Sequence, residues 1–179
     1  MWTDEQIGRL LARASVEEVE REFRAQLDVV LAAGLHPTHL DFHSIADGGR
    51  DDVLDDVLDR TVALGAEHGL AVRVWLPAGR RAARGRGRPV VDHPFRDSTR
   101  LDPATEACRY AELLRALPPG LTEWAVHPAT TDLEGERGRG ADLDFLVSPL
   151  ARELVAEEGV LLIDHRPLQD AWNARRVMP

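Results

Sequence analysis

A chain of 179 residues, 44% of them hydrophobic, is long enough for one domain with a sizeable core, and a second independent domain is not expected. Its 22 basic residues against 31 acids give a net charge of −9 and a pI near 5.2, which disfavours nucleic acid or an anionic membrane as partners, since both need a positive surface field. All 22 basic residues are Arg, which excludes Schiff-base chemistry and a Lys general base, while a single Cys108 allows neither an intramolecular disulfide nor a Cys-x-x-Cys zinc pattern.

The chain begins Met-Trp-Thr-Asp-Glu-Gln, acidic and without a basic region leading into an apolar run, and no apolar stretch approaches the ~20 residues that span a bilayer. A soluble, cytoplasmic protein is expected. Ser15-Val16-Glu17-Glu18 reads as a capping box, so a helix is predicted over about 16–33, with Val19, Phe23, Leu27, Val30 and Leu31 at helical spacing and Gly34 as its stop. A strand over 38–43 follows. Residues 51–68 read as a second helix, Val53, Leu54, Val57, Leu58 and Leu64 inward and Asp51, Asp55, Asp56 and Asp59 outward.

Residues 70–76 are predicted as a strand ended by Pro77, 79–88 as a surface loop, 89–95 as a short strand and 103–117 as a helix stopped by Pro118-Pro119-Gly120. A strand over 122–126, a charged Gly-rich loop over 130–142, a helix from Ser148-Pro149 to about Glu158 and a last strand over 160–163 complete the reading. Alternation at βαβ spacing predicts an α/β fold: a mainly parallel sheet or a partial, (β/α) barrel-like arrangement in a single domain over 1–179.

In the strand Pro37-Thr38-His39-Leu40-Asp41-Phe42-His43, alternation puts His39, Asp41 and His43 on one face, and Thr38, Leu40 and Phe42 on the other. A second apolar run, Trp124-Ala125-Val126-His127-Pro128, also ends in histidine. In a parallel fold His43, Trp75, His127 and His165 stand at or just past the C-terminal ends of strands, where α/β folds place their sites. His43 and His127 with a carboxylate would make a metal site; the bland alternative is structural histidines. His39, deeper in its strand, reads as an interior histidine, and His68 as a helix-end residue. His36 reads as loop surface, while His93 either lines the site or starts a turn. Cys108 reads as an inert packed thiol. Five arginines within 80–88 (Arg80, Arg81, Arg84, Arg86, Arg88) suit an anion or acidic partner, a mobile basic lid or a solvated loop; no aromatic is interleaved with them to stack on RNA.

Taken in order, these segments resemble the YdjC-like carbohydrate deacetylases, also called the ChbG/HpnK family, over roughly Ser15 to Leu168. The resemblance is carried by the helix Glu20-Arg21-Glu22-Phe23-Arg24-Ala25-Gln26 leading to Gly34, the strand Pro37 to His43, and the strand end Val126-His127-Pro128. The closing segment runs from Ser148-Pro149 and Arg152-Glu153-Leu154 into Asp164-His165-Arg166-Pro167-Leu168. It implies a barrel-like fold and a divalent metal, magnesium or zinc, with hydrolysis of the N-acetyl group of an amino-sugar substrate. His43 and His127 are then the metal ligands and Asp41 an orienting or proton-handling carboxylate. His165 is a candidate acid for the leaving amine, taken from its rim position more than from the family, and Trp75 and Arg152 are candidate sugar contacts. A homodimer is compatible with the sequence.

The chain departs from the family in two ways: it lacks the Asp-Asp-Phe-Gly-like motif that supplies a metal carboxylate and base, and Ala129 stands where Gly usually follows His-Pro, with Ser44 in place of part of a histidine-rich run. The expectation is therefore an N-terminally incomplete family member, Met1 falling past the first strands. Its alternative role is a non-catalytic remnant that binds a sugar or a protein partner.

Overall fold

The structure is a computed structural model that describes residues 13, 15–41, 51–74, 77–93, 96–97, 106–130 and 138–175. They fall into two compact units, Met1–Val90 with Ile163–Pro179, and Val91–Leu162.

In the first unit, helix α1 (Val16–Ala32) starts on the expected capping box. The Ser15 amide donates to Glu18 Oε2 at 2.8 Å and the Glu18 amide to Ser15 Oγ at 3.2 Å, and the Ser15 backbone bond holds the Glu18 carboxyl below its usual range. Strand β1 (His39–Asp41), helix α2 (Asp51–His68) and strand β2 (Ala71–Arg73) form a βαβ unit in which the strands pair in parallel, His39 with Ala71, Leu40 with Val72 and Asp41 with Arg73. The helix and strand sit so close that a Cβ added at Gly65 would meet the Leu70 carbonyl oxygen at 2.9 Å. Gly69, at φ +69, then turns the chain from α2 into β2.

Leu27, Leu64 and Leu70 form one core cluster with Phe23 and Leu40 at its margin. Leu58, Val62, Ala71, Val72, Val74, Ala83 and Trp172 form another. Two of these residues correct the sequence reading. Residues 77–85 are helix α3, not loop, because Ala83 is fully buried against the core and Ala and Arg are strong helix formers that outweigh the glycines. Residues 166–174, unassigned from sequence, are helix α7, which inserts Trp172 into the same cluster. The Trp172 indole donates to the Pro89 carbonyl at 2.7 Å, while Gln169 and Asn173 both donate to the Gly69 carbonyl, at 2.8 and 3.0 Å.

In the second unit, β3 (Arg96–Asp97) pairs in parallel with β4 (Trp124–Ala125), and helices α4 (Glu106–Arg115), α5 (Arg139–Leu146) and α6 (Pro149–Glu157) enclose Tyr110, Ala111, Leu114, Phe145, Ala151 and Leu154. Ser148 caps α6 by accepting from the Ala151 amide at 3.1 Å. Residues 89–93 are not strand, since Pro89 has no amide to donate and the Asp92 carboxylate accepts from the Leu121 amide at 2.8 Å, in place of a regular ladder. The loop expected up to residue 142 already contains the start of α5.

The apolar run Val160-Leu161-Leu162-Ile163 is not a strand either, and Leu161 and Leu162 are 82% and 78% exposed. β-Propensity alone does not hold a strand, and no described residue offers this run a ladder. Cys108 lies on α4 as expected but is exposed, on a different side of the helix from Tyr110, Ala111 and Leu114. Two short parallel pairs among helices make this an α/β architecture. No helix among the described residues is long and apolar enough to cross a membrane.

Trp172 is the test of this packing. Trp172→Ala is expected to destabilise the chain by about 3–5 kcal/mol, and Trp172→Phe, which keeps an aromatic ring but orphans the Pro89 carbonyl, by roughly 1–3 kcal/mol. Urea melts that place both variants at the wild-type midpoint would show that α7 is not docked through this side chain.

Candidate functional sites in the two units

β1 builds the first site by alternation. Leu40 faces the Leu27–Leu64–Leu70 cluster, so His39 and Asp41 share the other face. Asp41 meets its register partner: the Arg73 guanidinium donates through one nitrogen to both carboxylate oxygens, at 2.8 and 2.9 Å. His39 Nδ1 lies 3.0 Å from Thr38 Oγ1, and its ring stacks on that of His165, centroids 3.7 Å apart and planes 13° from parallel. Burial, then the neighbouring His165, push the His39 imidazole below its ordinary 6.5, and Arg73 adds to this while Asp41 opposes it. Beside β1 lies a cleft of about 180 Å³ walled by Phe23, Leu27, Val30 and Leu40, with Gln26, His39 and Asp41 as polar groups.

The second unit builds its site around a buried carboxylate. Asp142 on α5 is 2% exposed and accepts from the Tyr110 hydroxyl at one oxygen and from the His127 backbone amide at the other, the latter at 2.6 Å. The Ala129 amide donates to the Arg139 carbonyl at 3.1 Å, so the turn after His127 is tied to the start of α5 at two points. Trp124 packs edge-on to Tyr110 at 5.1 Å. Held by its backbone, His127 carries a buried Nδ1 that has no hydrogen-bond partner among the described residues. A buried, unbonded imidazole nitrogen is the donor a divalent ion takes, so this residue fits a metal ligand.

Of the residues singled out in the sequence, the structure brings together His39, Asp41 and His165 in one unit, with Arg73 added. His127 stands in the other unit, where Arg152 is exposed on α6. His43 and Trp75 lie outside the described residues. His68 ends α2 as expected, His36 is exposed, and His93 Nε2 lies 2.8 Å from the Pro119 carbonyl oxygen. In the Arg-rich segment, residues 77–85 are helical rather than loop, and Arg81, Arg84 and Arg86 are exposed. Arg86 pairs with Asp59, and Arg88 lies 5.3 Å over the Trp172 ring. Among the described residues, no group of three or more His, Cys, Asp or Glu converges as a metal site. Asp142 was missed from sequence, because one acid in the run Arg139-Gly140-Ala141-Asp142 carries no signal of burial.

A family model described as YdjC-like protein matches residues 1–157. The chain belongs to the YdjC-like family. The structure also resembles the crystal structure of an Enterococcus faecalis protein provisionally named a cellobiose-phosphate cleavage protein, with a TM-score of 0.65 and 21% sequence identity. The match covers 88% of this chain and 62% of that one, so the family member described here spans less than two thirds of its structural neighbour. At this identity the likeness is one of fold.

The His39 environment fixes a pH dependence. Its imidazole is depressed in the fold, so the unfolded chain binds the proton more readily. The neutral-His39 contribution to stability is then fully present above about 6.5 and is lost as pH falls below it. Urea midpoints measured from about pH 7 to about pH 5 should therefore fall more steeply for wild type than for His39→Gln. Equal slopes would contradict the assignment.

Proposed function

We propose that this YdjC-like chain acts as a metal-dependent carbohydrate deacetylase, removing N-acetyl groups from amino sugars or oligosaccharides. The observation that carries the reading is the buried Nδ1 of His127, two residues past β4 and without a hydrogen-bond partner among the described residues, in a chain that matches the family over residues 1–157. His43 and His127 are the imidazoles proposed to hold a divalent ion, zinc or magnesium. When bound, that ion polarises an amide carbonyl and lowers the pKa of an attacking water. Family membership also supports a (β/α) barrel-like fold.

The chain's own groups have separate tasks. Asp142 fixes the backbone of His127 and so the direction of its ring. Asp41 is gripped at both oxygens by Arg73, which suits an orienting carboxylate better than a group that moves through the reaction. His165, with no capping bond on its side chain, is left to protonate the departing amine. Trp75 and Arg152 are proposed to contact the sugar. That same engagement of Asp41 favours a second reading, a chain that binds a sugar or a protein partner without turning it over.

Calorimetric titration of the full chain with zinc or magnesium, and acetate release from an N-acetylglucosamine oligosaccharide, separate these readings. His43→Ala and His127→Ala should each abolish metal binding, and His165→Gln should lower turnover by about 10²–10⁴-fold while retaining the metal. Metal retention in both alanine variants would refute the ligand assignment. Binding of the oligosaccharide without acetate release would establish the second reading.

A further inference from the structure

We propose that His39 is a positioning residue for His165, its strand-held imidazole fixing by face-to-face stacking the ring that stands at the start of α7. His165 is held from one side. The segment leading to it is not in a strand, and Leu161, Leu162 and Ile163 are 82%, 78% and 46% exposed, so among the described residues no ladder fixes the chain from that side. From the other side α7 is well anchored, through Trp172 in the core and through Gln169 and Asn173 on the Gly69 carbonyl. His165 thus sits where a weakly held segment meets a fixed helix. Its backbone carbonyl accepts from the Gln169 amide at 2.9 Å, whereas its side chain makes no capping bond; Asp164 takes the first helical amide, from Arg166, at 2.9 Å.

What the His165 side chain does meet is His39. The rings lie 3.7 Å apart at 13°, and His39 is itself fixed by the β1–β2 pairing and by Thr38 Oγ1 at 3.0 Å from its Nδ1. Two imidazolium rings at this separation repel, so the stack holds one proton comfortably and a second poorly. The groups acting on His39 decide which ring stays neutral. Burial and Arg73 on β2 disfavour charge there, as does His165; Asp41 alone favours it. Asp41 is already engaged by Arg73. His39 is therefore the ring of the stack whose surroundings disfavour charge. An imidazole that must deliver a proton to a leaving amine needs this: a fixed orientation and a neighbour that does not compete for the proton. The catalytic consequence rests on the deacetylase reading above, while the pairing of the two rings does not.

The test uses the full chain labelled in its histidines and follows the imidazole carbon–proton correlations through a pH titration. In wild type the His165 signal should lie at high field from the ring current of His39 and should show two inflections, one at its own titration and one coincident with that of His39. His39→Phe should keep the high-field position and lose the second inflection; His39→Ala should lose both. A His165 signal that superimposes on wild type in His39→Ala, or that in wild type titrates in one step independent of His39, overturns the proposal. Where His39→Ala does not fold, the His39→Phe comparison and the wild-type titration still decide it. In acetate release, His39→Ala should lower kcat by up to about 10²-fold at unchanged KM, with partial recovery in His39→Phe. Coupled titration without any acetate release in wild type defeats the deacetylase reading alone, and acetate release without coupling defeats the pairing alone.

Discussion

The parallel pairing of β1 with β2, in the register His39 to Ala71, is the constraint on which the first unit turns. Side chains alternate along a strand, so once Leu40 is committed to the core with Leu27, Leu64 and Leu70, His39 and Asp41 are committed to the opposite face. A slip of one residue would bury the imidazole and the carboxylate and expose the leucine. The same register sets Arg73 beside Asp41, and so ties up the carboxylate before any substrate is considered. The crossover helix α2 closes the unit by lying so tightly on the turn into β2 that residue 65 has no room for a side chain.

The two units hold their histidines in different ways, and the difference bears on chemistry. His39 and His165 are held by their rings, one against the other, which constrains orientation and charge together. His127 is held through its backbone amide by Asp142, a buried carboxylate whose other oxygen takes the Tyr110 hydroxyl, and its ring nitrogen is left without a hydrogen bond among the described residues. A residue fixed by its main chain and unspent at its side chain is suited to receive a ligand; a residue spent on a stacked neighbour is suited to handle a proton. The proposed division of labour between His127 and His165 follows from that contrast.

Much of the first unit was legible in the sequence because it obeys local rules. The capping box at Ser15 and Glu18 and the apolar spacing of α1 and α2 each decide their structure within a few residues, and the helix bounds follow them closely. The polar face of β1 was legible for the same reason. The misreadings occur where distant packing overrides local composition. Helix α3 is rich in glycine and arginine, and what keeps it helical is Ala83 entering a core built largely by α2, β2 and α7. Helix α7 was invisible because its decisive residue, Trp172, acts across more than eighty positions of sequence on Pro89. The run at 160–163 has every local mark of a strand and is none, since among the described residues it has no edge to pair with. Of the candidate site, the histidines could be picked out by type and by position at strand ends, whereas Arg73 and Asp142 could not, because only the fold turns an ordinary charged residue into a partner for Asp41 or His127.

The proposed metal site rests on His127, whose Nδ1 has no hydrogen-bond partner among the described residues. The most direct measurement is diffraction from zinc-soaked crystals of the full chain, with data on both sides of the zinc absorption edge. The account predicts an anomalous peak about 2.0–2.1 Å from an imidazole nitrogen of His127. A zinc-free His127, with the anomalous signal elsewhere or absent, would contradict it.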